Sequence, residues 1–284
     1  MQNNDCLGSE VKMFLTDLKR GLINGRMLLV VLIAIFLFLL SDYSAIFDTM
    51  TFADLKAPDL EGNTEAMEFI QSNGYNKYQI WLKSFSFIGI LFPLLVMLPY
   101  SASYWEERQT KYQYYIVART SLHQYVRTKF IVNGLVGGLA IFIPEFLYYI
   151  VITILFRNEV LAAPVYQATG PFSELYFSLP ELYIGIVLLT HFLIGCTFAA
   201  MGMCISTFTK KKIVIYVLPF LLYMGTGILL EGFLGWFAFS PLQWINMMNS
   251  FHADPFIMYS SIILLIAASM IIFEYRGKMV KING

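Results

Sequence analysis

Two ionisable residues stand where an apolar chain rarely carries them. Glu145 follows Pro144 in "AIFIPEFLYYIV", and His191 sits within "IVLLTHFLIG". A carboxyl and an imidazole can pair, share a proton or handle protons on a bound molecule, and each is costly in hydrocarbon without a partner. The run around Glu145 ends eleven positions later at 156, and the run around His191 begins nine positions earlier at 182. If one run passes outward and the next returns, the two residues meet at similar depth. By the same count Asp42 and Lys83 share a level nearer the outer face. These four are candidates for an intramembrane polar or substrate path, with packing pairs as the competing reading.

The second polar concentration is "YWEERQTKYQYYIVARTSLHQYVRTKF", residues 104–130, between two strongly apolar runs. Its residue types predict a short helix over 106–118 with an apolar patch at Tyr112, Tyr115 and Ile116. Ser121 and Gln124 then have the Ser-x-x-Gln form of a capping box that opens the next helix. Glu106, Glu107, Arg108, Thr110, Tyr112, Tyr115 and Arg119 are the residues such an element would offer to a partner. A solvated, positively charged loop is the alternative.

The elements that position these groups follow from composition. Only 13% of the 284 residues are charged, about half the share in soluble domains. Mean hydropathy is +0.64. Six apolar runs, at 27–47, 80–100, 130–156, 182–208, 213–230 and 255–273, approach or exceed the ~20 residues that cross a bilayer as helix. An all-α membrane protein of six spans, forming one transmembrane domain over 1–284, is expected. With the N-terminus inside, fifteen Lys and Arg fall on the inner side and Lys56, Lys77, Lys83 and Arg157 on the outer. That asymmetry predicts both termini in the cytoplasm, and the composition resembles that of a bacterial plasma-membrane protein.

Ahead of the first run, Val11, Phe14, Leu15, Leu18 and Leu22 recur at helical spacing, with Asp17 assigned to the polar side. This predicts an amphipathic helix lying in the membrane interface. Outside, a short helix is expected over 64–73, an irregular loop over 157–181, and short re-entrant or interfacial helices over the aromatic stretch 231–254. Gly134-x-x-x-Gly138 and Gly195-x-x-x-Ala199 supply small-residue packing faces. Zero net charge gives no electrostatic case for nucleic acid, and the odd count of three cysteines argues against a disulfide framework.

This layout resembles the type-2 ATP-binding-cassette permeases. Their stretch of the form E-R-x-x-G-T, an apolar pair and a T-R/K-P-like turn is matched by Glu107, Arg108, Thr110, Tyr115-Ile116 and Arg119-Thr120-Ser121. Gln109 stands near the glycine, Thr120 or Ser121 replaces the proline, and Lys129 follows Thr128 where Gly-Lys is usual. The resemblance implies a cytosolic coupling helix between spans two and three that docks on a separate ATPase. It implies two such ATPase subunits, a second permease copy or paralogue, and surrounding lipid as partners. It also implies an exported substrate of amphipathic or hydrophobic kind: a peptide, lipid-linked molecule or drug. No G-x-x-x-x-G-K-[ST] occurs in the chain, so no cofactor is expected here, and ATP and Mg would sit on the partner.

Two other functions compete. A non-transporting membrane immunity or sensor protein would share the composition. An intramembrane protease-like enzyme is suggested by "EERQTK", which is similar to the E-E-x-x-x-R of membrane prenyl-protein endopeptidases. Lys111 stands where the arginine is required, however, and Val187 precedes His191 by four where the partner motif has Phe. A transporter permease, not an enzyme, is the resulting expectation.

Overall fold

The structure is a computed structural model that describes residues 2–41, 58, 60–74, 76–156 and 167–279. Among these residues there is no strand, and about 80% are helical. Helix α1 (Gln2–Leu22) meets α2 (Gly25–Ser41) at a bend of 47°. Asn24 makes that joint. Its amide donates to the Arg20 and Gly21 carbonyls, each at 2.8 Å, while its Oδ1 accepts from the Met27 backbone N–H at 2.8 Å. One side chain thus ends one helix and caps the next.

The buried side of α1 departs from the expected stripe. Val11 and Leu15 are exposed, whereas Phe14, Leu18 and Leu22 pack inward around a buried Asp17. Asp17 is therefore at the centre of the inward face rather than on the polar one. The reason is a cation waiting for it, described below.

Between α2 and the next apolar helix lie α3 (Thr64–Gly74) and α4 (Lys77–Lys83), followed by α5 (Ile88–Met97). The expected second span is broken: α4 and α5 meet at 74°. Ser84 and Ser86 turn their hydroxyls back onto the Ile80 and Lys83 carbonyls, and Asn249 donates to Leu82 O. The last of these bonds ties the break to the segment ahead of the final helix.

The expected helix over 106–118 is two helices, α6 (Ser103–Gln109) and α7 (Tyr112–Val117). Thr110 bonds back to the Glu106 carbonyl at 2.9 Å, and Lys111 adopts a left-handed conformation, φ 59°. That conformation closes helices. The capping box at Ser121 and Gln124 is present, with both reciprocal bonds at 3.2 Å. It opens α8 (Leu122–Leu155), a helix of 34 residues. Such a helix is about 51 Å long against ~30 Å of hydrocarbon, so its first turns reach α1 and α6.

Within the stretch expected to be irregular, α9 (Ser173–Ser178) forms, and Pro180 occupies the first turn of α10 (Pro180–Ser206). α11 (Lys212–Gly227) continues as a π-helical turn, Ile228–Phe233. Two 3-10 turns flank α12 (Pro241–Ile245) before α13 (Pro255–Met279). Trp244, Ile245, Met247 and Met248 are buried in the main core, so that part of the aromatic stretch dips into the bundle, while Phe233, Trp236, Phe239 and Phe251 stay exposed. Among the described residues four helices, α8, α10, α11 with its π turn, and α13, are long and apolar enough to cross a membrane. The number is six if each bent pair is one span.

The central seam is α8 against α10. A Cβ at Gly137 would lie 2.3 Å from Ala199 Cβ, and one at Gly195 would lie 2.8 Å from Gly137 O, whereas Gly134 has open space. The close approach therefore uses Gly138 of the motif, where a Cβ would lie 2.6 Å from the Phe192 ring, together with Gly137, and not Gly134. Gly137→Ala should destabilise the protein by about 1–3 kcal/mol, as overpacking does, while Gly134→Ala should not. Thermal unfolding in detergent distinguishes them, and equal midpoints for the two variants would refute the seam.

Candidate functional site

α6 is tied to five other helices and linkers through three consecutive residues. Glu107 is 2% exposed. Its Oε1 accepts from Arg20 at 2.6 Å and from Lys129 at 2.7 Å, and its Oε2 accepts from the Tyr125 hydroxyl at 2.7 Å. Lys129, on α8, is fully buried. Its ammonium donates to Asp17 on α1 at 3.0 Å, to the Tyr100 hydroxyl at 2.9 Å and to Glu107. Those three bonds use all three ammonium protons. Two cations and two carboxylates make the cluster neutral, the condition under which buried charge is tolerated.

The neighbours of Glu107 reach other elements. Glu106 accepts from Arg26 at the start of α2 at 2.9 Å and from Lys212 at the start of α11 at 2.6 Å. Burial opposes its ionisation, but the hydrogen bonds from Lys212 and Arg26 outweigh that and hold its carboxyl below the ordinary carboxylate value. Arg108 places its fork on the Thr207 and Thr209 carbonyls, at 3.1 and 3.2 Å, where α10 ends. Cations and N–H donors are favoured at such a C-terminus.

α7 has the opposite character. Tyr112, Tyr114 and Tyr115 are exposed, Tyr115 by 72%, and Arg119 is exposed at the following turn. Between α1 and this corner lies an open cavity of about 1000 Å³, lined by Lys12, Arg20, Arg26, Glu106, Tyr112 and Tyr115 among others. Of the seven residues expected on a docking element, Glu106, Glu107, Arg108 and Thr110 spend polar atoms within the chain. Tyr112, Tyr115 and Arg119 face outward.

Glu145 and His191 meet in the bundle. His191 Nδ1 is 2.8 Å from Glu145 Oε1, and both side chains have no exposed surface. His191 Nε2 is 2.9 Å from the Ile245 carbonyl. A carbonyl only accepts, so Nε2 carries a proton, and one further proton is shared between Nδ1 and Oε1. The pair is neutral in total wherever that proton resides. Phe85 and Phe92 pack on the imidazole, with ring centroids 5.1 and 6.0 Å away. His191 is eleven residues into α10, about 16 Å along it, so Ile245 is drawn to that depth. Glu145 Oε2 is buried without a hydrogen-bond partner.

Lys83 is the last residue of α4, and Asp42, its expected partner, lies outside the described residues. Among the described residues no group of three or more His, Cys, Asp or Glu could hold a metal. Asp17 and Lys129 were missed as a joint centre by sequence reasoning. The available signal was a lysine seven positions inside a long, largely apolar helix, which needs an acid from another element. No protein-family model, curated protein or solved structure matches the chain.

Proposed function

We propose that this chain is the membrane-spanning permease of an ATP-driven exporter, of the type-2 ATP-binding-cassette kind, powered by separate ATPase subunits. The observation that carries the reading is the division of labour at the α6–α7 corner. α6 braces α1, α2, α8, α11 and the end of α10 through Glu106, Glu107 and Arg108. α7 projects three tyrosines from that brace. A force applied to α7 would therefore reach several helices as one body, which is what coupling a remote ATPase to a transport path requires. Exposed tyrosines on a rigid element also suit a protein interface, where aromatic side chains dominate binding.

In this reading two ATPase subunits dock from the cytoplasm, where both termini lie, and a second permease copy or paralogue completes the path in the plasma membrane. The exported molecule is amphipathic or hydrophobic, in keeping with a bundle whose buried groups are mostly apolar. The test is purification from the native membrane followed by ATPase assay. The wild type should retain a cassette ATPase, and Tyr112→Ala with Tyr115→Ala should weaken that association about tenfold or more. Its thermal midpoint should stay unchanged, because both side chains are exposed. Retention of no ATPase by the wild type would sink the proposal.

A further inference from the structure

α11 and α13 both lie against α10, and a cavity of about 160 Å³ occupies the space between them, with Trp244 of α12 in its wall. Four of the lining side chains carry polar hydrogens, and all four are spent on backbone carbonyls. Thr197 donates to Leu193 O at 2.9 Å and Thr226 to Leu222 O at 2.6 Å. Tyr223 donates to Gly89 O at 2.7 Å and Trp244 to Ala238 O at 2.9 Å. The rest of the lining is hydrocarbon or aromatic, with the thioether of Met201. Water needs two to four polar partners to occupy a cavity, and an apolar one of about 150 Å³ stays dry and accepts benzene or xenon.

From this we infer that the cavity is a binding site for one compact apolar group of benzene size, arriving from the hydrocarbon phase. Leu222, on its rim, is 43% exposed, so the site adjoins the surface that lipid would cover. The volume sets the specificity: a single ring or a short branched alkyl group fits, and a fused ring system does not. The group belongs either to a free hydrophobic solute or to the chain end of a lipid, since both present the same chemistry. The inference does not depend on transport.

An aryl diazirine of single-ring size, photolysed with the detergent-purified chain, tests it when labelled positions are read by mass spectrometry. Thr197 and Trp244 are buried and should be labelled in the wild type. Excess benzene should remove that label while leaving the exposed Phe256 and Ile263 labelled. Protection should fall from benzene to anthracene, although partitioning into detergent rises. Adding phospholipid separates the sources: protection by lipid identifies a chain end, and its failure identifies a free solute. Thr226→Leu, which fills the cavity, should cut the internal label at least tenfold. If that variant does not fold, the size series on the wild type decides. Label at Thr197 and Trp244 that benzene leaves in place, or protection that grows with solute size, would overturn the site.

Discussion

Lys129→Met should lower the stability of the folded chain by about 3–5 kcal/mol, the usual cost of removing one partner from a buried ionic cluster. Methionine matches the length of the lysine stem, so the loss is electrostatic and not a cavity. Without the ammonium, Asp17 and Glu107 face each other across a buried space, and the Tyr100 hydroxyl loses its donor. Arg20 still holds Glu107, but its side chain is 48% exposed, and a half-solvated cation compensates weakly. Glu107→Gln should cost a similar amount, because it deprives Lys129 and Arg20 together. The two substitutions combined should cost clearly less than their sum, since residues in one network couple by about 0.5–3 kcal/mol. Denaturant unfolding in detergent, with wild type, both single variants and the double, measures this directly. A loss below ~1 kcal/mol for Lys129→Met, or strict additivity, would mean the cluster is solvated and does not brace α6.

This cluster also shows where sequence reading stops. The apolar runs and the capping box are local features, and the apolar runs appear as helix where the structure describes them, apart from the break at 84–87 and the turns at the run ends. Asp17 was assigned to the polar face because periodicity registers only the apolarity of each position. Its burial is set by Lys129, more than a hundred residues away, and no pattern within one helix carries that information. The break of the second span has the same character. "KSFSF" is a short polar interruption that averaging over the run hides, and at the break Leu82 O accepts from Asn249, more than a hundred residues away. Glu107 and Arg108 were legible as important, but not their direction: charged residues between spans look like a surface whether they face a partner or their own bundle. For Glu145 and His191 the depth count sufficed, because both lie on uninterrupted helices where one residue means 1.5 Å.

Substituting His191 by Leu should be among the most destabilising single changes in the membrane-spanning part, at about 3–5 kcal/mol. It strips Glu145 Oε1 of its partner and leaves the Ile245 carbonyl unpaired at mid-bundle depth, so two buried polar groups lose their bonds at once. Glu145→Leu removes only one of those bonds and should cost less. Glu145→Gln should cost least, within about 1 kcal/mol. The reason is the proton inventory. Nε2 must donate to Ile245 O, which leaves Nδ1 of a neutral imidazole as an acceptor, and a glutamine amide can donate to it. The pair carries no net charge in any arrangement of its shared proton, so replacing acid by amide removes no compensating charge. Thermal unfolding of the three variants in one detergent orders them. If Glu145→Gln proves as damaging as Glu145→Leu, the pair is a true ion pair whose charges the fold requires. If His191→Leu is harmless, the segment around Ile245 is held by its buried neighbours Trp244, Met247 and Met248 alone. The expected order instead makes the imidazole a hinge pin: it joins α8 to α10 on one side and fastens the returning segment before α13 on the other.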